Sequence, residues 1–359
     1  MTENCVISID GMGGDAGCSM VVAGLERFAS SRGGVRFLLH GDQTQLEAAL
    51  RSAPKAREIV DIRHTEKFIA MDAKPAQAVR RGKGSSMWNA IEAVKTGEAA
   101  AAVSAGNTGV LMGMSSMILR TVSGVHRPAL CASWPTPHGV CAVLDLGADI
   151  TADAEQLVEF GIMGEAFARA VHQKENPSIG LLNIGSEDIK GSEVLKAAAS
   201  LMKNCGHDVN YIGFVEGNDI SAGVADVVVT DGFTGNIALK SAEGAAKLVG
   251  DLLKSSLKSS MWGMLGAMIA RPALKRFQSR VDPRNVNGAV FLGLNGVVVK
   301  SHGGTDALGY EQALNVAAQM AASRFKEEVA ANIERLGEAV KAASQNAEPD
   351  TTSTTEAAE

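Results

Sequence analysis

Aromatic side chains make up only 4% of the 359 residues, so the core is expected to be built from Ala, Val, Leu, Ile and Met. Cysteine is scarce too. Cys5, Cys18, Cys131, Cys141 and Cys205 form no Cys-x-x-Cys pair and are odd in number, which points to free thiols packed in a core and a reducing setting. The seven histidines show no His-Glu-x-x-His or other ligand spacing, so no metal is expected. A net charge of −6 argues against a nucleic-acid binder. No apolar run reaches the roughly 20 residues that cross a bilayer. The nearest tract, MWGMLGAMI at 261–269, is too short and holds two glycines. No signal peptide is read ahead of the first strand, and a cytoplasmic location is expected.

What is present is alternation. Seven short apolar runs end in Gly, Asp or Asn and pass into helix-like stretches: ISIDGMGGD, FLLHGD, AAVSAGNTG, CAVLDLGAD, GLLNIGSED, YIGFVEGND and VVVTDGFTGN. Continuous apolar runs are the mark of buried parallel strands, and strand–turn–helix repetition is that of βαβ units. The spacing predicts strands over 6–9, 36–39, 59–63, 101–103, 130–133, 141–144, 179–183, 211–215 and 227–230. It predicts helices from about Asn107 and from Asp153. After Thr234 a long helix to about Ser260 is expected, then the apolar tract, ended by Pro272 so that a basic stretch can fold back. A hairpin around Asn295–Gly296 follows, and one last helix from about 306 to 343. The expected fold is a Rossmann-like α/β/α sandwich with a mostly parallel sheet, one catalytic domain over 1–343, and a disordered polar tail over 344–359.

In open α/β sheets, ligands gather at the carboxyl ends of the strands, where amides and helix N-termini point outward. The turns here offer small residues and side-chain amides but no evident nucleophile. Gly11–Ala16 fits G-x-G-x-x-A, and Asp42 lies where a ribose-binding acid would stand, yet Asp10 and Asp15 would repel a pyrophosphate. Ala102–Gly106 is one glycine short of a nucleophile elbow, with no histidine assignable as its base; a turn capped by Ser104, Asn107 and Thr108 reads better. Walker A and His-x-x-x-x-Asp are both missing. Lys190, in a glycine-bounded loop just past a strand, suits an anion or an oxyanion, or pairs with Glu187 or Asp188 on the surface. Asp231, Thr234 and Asn236 bring a carboxylate, a hydroxyl and an amide to another strand end, with Asp231 also suited to capping the helix.

Taken in order, DGMGGD (10–15), GSSM (84–87), SAGNTG (104–109), RPA (127–129), LDLGA (144–148), LLNIG (181–185), TDGFTGN (230–236) and KSHG (300–303) resemble the bacterial phosphate acyltransferase family. The likeness spans about residues 4–330. One departure is Asp149, where the family usually carries Asn. The resemblance implies an isopropylmalate-dehydrogenase-like architecture, a homodimer and no cofactor. It implies transfer of a fatty acyl group from acyl-[acyl-carrier-protein] to inorganic phosphate, giving acyl phosphate for phospholipid synthesis. Phosphate would attack the thioester directly, so no enzyme nucleophile is needed. On that footing Gly13, Gly14, Gly106, Asn107 and Thr234 would cradle phosphate or oxyanion. Lys190 would supply charge and Asn236 a neutral donor. Asp231 would orient one of these or touch the carrier's prosthetic arm, and His302 would protonate the thiolate or serve structurally. Two rivals are a nicotinamide-dependent hydroxyacid dehydrogenase on a related fold and a non-enzymatic scaffold on a membrane surface.

Two surfaces stand apart from the turns. Arg80, Arg81 and Lys83 form a basic cluster, a solvated surface by default or a dock for an acidic carrier protein. Residues 252–281 hold six Lys or Arg and no acid. Leu253, Leu257, Met261, Met264, Leu265 and Met268 fall on one helical face, with Trp262 beside them. This is expected to be a protruding amphipathic hairpin that either packs on a second subunit or rests on the cytoplasmic membrane face, where the next user of the product, a membrane glycerol-3-phosphate acyltransferase, would act.

Overall fold

The computed structural model describes residues 5–204 and 209–346; Cys205 and the tail beyond 346 lie outside the described residues. The first stretch runs β1 (Cys5–Asp10), α1 (Gly17–Ser31), β2 (Val35–Gly41), α2 (Gln43–Leu50), α3 (Pro54–Ile59), β3 (Val60–His64), α4 (Pro75–Arg81), α5 (Ser86–Lys95), β4 (Ala101–Ser104) and α6 (Thr108–Leu119). The second runs β5 (Ala129–Thr136), β6 (Gly139–Leu144), α7 (Ala154–His172), β7 (Ile179–Leu182), α8 (Glu193–Asn204), β8 (Tyr211–Val215), α9 (Gly217–Ala222), β9 (Val227–Val229) and α10 (Gly232–Lys258). The chain closes with α11 (Met261–Ile269), α12 (Arg271–Val281), β10 (Ala289–Leu292), β11 (Val297–Lys300), α13 (Ala307–Ala322) and α14 (Phe325–Asn346).

The strands form one sheet ordered β3-β2-β1-β4-β11-β10-β5-β6-β9-β7-β8. Neighbours are parallel except β10 with β11, β10 with β5, and β5 with β6. Both faces are covered, so successive residues face different cores. Ala101 and Val103 join Ile7, Ile9, Phe37 and Leu39 on one face, while Ala102 joins Leu130, Val143, Val228 and Val298 on the other. Aliphatic residues fill most of this volume. The largest fully buried side chains nevertheless include Tyr310, Phe28, Phe37, Phe160, Phe167 and Phe291, so the few aromatics are concentrated inside.

β5 joins the two halves. Its first residues pair with β10 (Cys131 with Val290) and its later ones with β6 (Ala132 with Val143). Followed across the first half, Val290 is level with Val299, Val103 and Ile9, each one residue short of its strand's carboxyl end. Across the second half, Val143 is likewise one short of the end of β6. The halves run in opposite directions, and their carboxyl edges come level within a residue on β5.

Three sequence-based expectations need correction. The long helix stops at Lys258, and Ser260 caps a new one by accepting from the Gly263 amide at 3.0 Å. The apolar positions from Leu253 to Met268 are therefore split between two helices. Pro272 lies in the first turn of α12 rather than merely ending its predecessor, as suits a residue without an N–H. The last helix is also two, broken where Ser323 caps back onto the Met320 carbonyl. The second of these continues to Asn346, three residues into the stretch read as tail.

Candidate active site

The turn after β1 folds onto the turn after β4. A Cβ at Gly13 would lie 2.7 Å from Asp10 Oδ2 and 2.8 Å from the Gly106 nitrogen, and Gly14 has φ +94°; both positions require glycine. The Asp15 amide donates to the Gly303 carbonyl at 3.0 Å, which draws the β11 turn into the same cluster. Beneath it Asp10 is buried, accepting 2.6 Å hydrogen bonds from Ser86 Oγ and Ser104 Oγ. Burial pushes its carboxyl up from the usual range, against the lowering effect of the two hydroxyls.

Ser104 is thus no nucleophile. Its hydroxyl donates to Asp10, and its oxygen accepts from the Gly106 amide at 3.0 Å. That second bond corrects the expectation for Gly106, whose N–H is already in use. Asn107 is structural by its side chain: Oδ1 accepts from the Val110 amide at 3.1 Å, and Nδ2 donates to the Met71 carbonyl at 2.7 Å. Only its backbone N–H remains. The amides of Gly13, Gly14 and Asn107 have no hydrogen-bond partner among the described residues. His302 lies on the β11 turn, exposed, with Nδ1 accepting from the Gly304 amide at 3.2 Å. In the neutral ring this puts the proton on Nε2. Asp42, read as a possible ribose acid, caps α2 through the Gln45 amide.

The second edge is organised by buried Asp145, which accepts from the amides of Leu130, Gly147, Ala148 and Asp149 at 2.6–3.1 Å. Burial raises its carboxyl pKa, and those four amides lower it. Asp149 pairs with the Arg127 guanidinium at 3.3 Å, so its charge is answered inside the protein. Asp231 caps α10, accepting from the Thr234 amide at 2.9 Å and the Thr234 hydroxyl at 2.7 Å. Asn236, one turn on, is exposed and lies against Gly147. Lys190 follows β7, half exposed, and pairs with Glu187 at 3.1 Å, while its own carbonyl accepts from Asn183 Nδ2. The structure therefore makes two clusters, Gly13–Gly14–Asn107–His302 and Asp231–Thr234–Asn236, with Lys190 on the loop after the adjoining strand.

One residue that carried no assigned role is Lys300, at the end of β11. It is 8% exposed, with Nζ donating to the carbonyls of Ala105 and Ser301. Burial pulls its ammonium down to about 8, Asp15 and Asp10 oppose that shift, and Lys240 on α10 adds to it. A charged residue closing an otherwise apolar strand, VVVK, was the available signal. Arg80, Arg81 and Lys83 are exposed at the end of α4, whose Pro75 packs near Gly109 of α6. Among the described residues no group of His, Cys, Asp or Glu is placed to hold a metal ion.

The fold is shared with solved phosphotransacylases. A phosphotransacetylase from Streptococcus pyogenes superposes with a TM-score of 0.62 over 89% of this chain and 95% of its own, at 17% identity. A branched-chain phosphotransacylase from Enterococcus faecalis gives 0.54 over 89% and 100%, at 13%. At such identities the likeness shows the fold. The sequence goes further: residues 5–328 match the family described as fatty acid synthesis protein. The chain is 55% identical over 336 residues to the phosphate acyltransferase of Caulobacter vibrioides, covering 94% of this chain and 93% of that one. It is 51% identical over 341 residues to that of Maricaulis maris, covering 94% and 97%. The chain belongs to the phosphate acyltransferase family and is an acyltransferase.

Proposed function

We propose that the enzyme moves a fatty acyl group from the thioester of acyl-[acyl-carrier-protein] to inorganic phosphate, supplying acyl phosphate for phospholipid synthesis. The observation that carries this reading is a pair of turns with free amides and no side chain poised to attack. Gly13, Gly14 and Asn107 leave N–H groups unbonded, which suits an anion. Ser104 is doubly engaged and Cys131 and Cys141 are buried thiols pushed up in pKa by burial, so none of these three is placed to attack, and the proposed nucleophile is the phosphate itself. A phosphate oxygen adds to the thioester carbonyl, the tetrahedral oxyanion collapses, and the thiol leaves. The enzyme's part is to position two reactants and stabilise developing charge. Lys190 and Asn236 serve the oxyanion from the second edge, Asp231 and Thr234 hold the start of α10, and His302 donates a hydrogen bond through Nε2–H to the leaving sulfur, which takes up the proton that the phosphate gives up.

The carrier docks on Arg80, Arg81 and Lys83, an exposed basic end of α4 beside the phosphate turns. The α10–α12 arm rests on the cytoplasmic membrane face, close to a membrane glycerol-3-phosphate acyltransferase, and the enzyme works there as a homodimer. Exposure supports this: Met261 and Trp262 are each 81% exposed and Met268 72%. No helix among the described residues is long and apolar enough to cross a membrane, so contact would be peripheral. The test is direct. Purified enzyme with acyl-carrier protein should release free carrier thiol only when phosphate is added, in step with acyl phosphate. Thiol release without phosphate, or none with it, sinks the reading, and acylated enzyme trapped without phosphate sinks the direct attack.

A further inference from the structure

The charge beneath the phosphate turns is offset only at a distance, by Asp15 and Asp10. Lys300 makes no ion pair among the described residues, and both oxygens of the buried Asp10 are taken by Ser86 and Ser104. Its Nζ is held by two carbonyls, those of Ala105 and Ser301, which leaves one of three N–H bonds unused. Those carbonyls belong to the two turns that close on Gly14: the Ala105 Cβ lies 3.1 Å and the Gly303 carbonyl 3.2 Å from where a Gly14 Cβ would be. A buried, unpaired ammonium is costly, and here it stands beside amides that also lack partners. An anion would satisfy both at once.

We propose that Lys300 is the cation of the phosphate site, binding the inorganic phosphate that the amides of Gly13, Gly14 and Asn107 hold. This rests on the reading of phosphate as acyl acceptor. Lys190, half exposed and already paired with Glu187, then serves the thioester side. In the reaction a hydrogen phosphate oxygen bonds to the carbonyl carbon, the C–S bond breaks, and the phosphate's proton is matched by one gained at the thiol sulfur. Lys300 keeps its protons throughout and its charge offsets that of the nucleophile.

Lys300→Gln retains a donor for the two carbonyls without the charge. It should raise the phosphate KM at least ten-fold while the carrier KM stays within two-fold. It should also lose the rise in Tm that inorganic phosphate gives the wild type by mass action. A purely structural lysine would lower Tm in phosphate-free buffer and leave both phosphate readouts intact, and that result overturns the proposal. A crystal structure of the wild type with inorganic phosphate decides independently of any variant: a phosphate oxygen must lie within hydrogen-bond distance of Lys300 Nζ, and phosphate held elsewhere overturns it. The two readings fail separately. A wild type without phosphate-dependent thiol release rejects the acyl-transfer reading, whereas an active wild type with unchanged phosphate KM in Lys300→Gln rejects only Lys300.

Discussion

Ser104 Oγ donates a 2.6 Å hydrogen bond to Asp10 Oδ2 across 94 residues of sequence, tying the end of β4 to the end of β1. Its oxygen accepts from the Gly106 amide in turn. Ser104→Ala removes both links and leaves part of a buried carboxyl unsatisfied, a loss of about 1–3 kcal/mol. Chemical denaturation should show it as a lower midpoint with an unchanged slope. A midpoint equal to wild type would mean that the bond is not holding the turns together.

Lys190→Ala tests the oxyanion assignment. If its charge acts on the transition state, kcat should fall about 10²–10³-fold, with Tm nearly unmoved because the side chain is half exposed. Turnover within a few-fold of wild type would make Lys190 a surface partner of Glu187 and nothing more.

Acid should weaken the fold through His40. Burial first, and Arg63 second, lowers its pKa from 6.5 to about 4; Nε2 bonds Ser8 and Nδ1 has no partner. Above pH 6.5 neither folded nor unfolded chain protonates it. Between about 6.5 and 4 the unfolded chain takes a proton that the fold refuses, so stability falls with falling pH, by roughly 2 kcal/mol at pH 5. His172 shifts the same way, mainly by burial, to about 4. Buried carboxyls such as Asp10 and Asp145, raised by burial, act oppositely, so the comparison is with His40→Gln. The difference in Tm between variant and wild type should narrow or reverse from pH 7.5 to 5. A constant difference would show that His40 titrates normally.

Charge reversal at Arg80 and Arg81 should raise the carrier KM and flatten its salt dependence, since an acidic partner gains rate and specificity from a local basic patch. Phosphate KM should not move. An unchanged carrier KM would place the dock elsewhere.

Trp262→Glu with Leu265→Glu should stop the enzyme co-sedimenting with anionic vesicles and spare its activity in solution, because each buried apolar side chain and each cation near anionic lipid adds about 1 kcal/mol or more. Dissociation of the double variant into monomers in analytical ultracentrifugation would instead assign the arm to the subunit interface.

The strands were readable because a buried strand announces itself as an apolar run, and Asn295–Gly296 marked the turn between β10 and β11. The breaks at Ser260 and Ser323 were not, because hydrophobic spacing continues across a capped interruption and only the local hydrogen bonds reveal it. Around the site, Asp231 and Asn107 were recognisable as caps, since a cap is read from neighbours three residues away. Asp10 and Lys300 were not: their partners Ser86, Ser104 and Ala105 are brought to them by strand order, which no local window contains.

β5 acts as a ruler between the two carboxyl edges. Because its first residues pair with β10 and its later ones with β6, the offset between the glycine turns and the Asn236 edge is counted in residues of one strand. One inserted residue at the junction of Cys131 and Ala132 would slide the edges apart by about 3.3 Å and turn the following side chains to opposite faces. Under the proposed direct attack, where two bound molecules need only meet, such a shift exceeds the tolerance of attack.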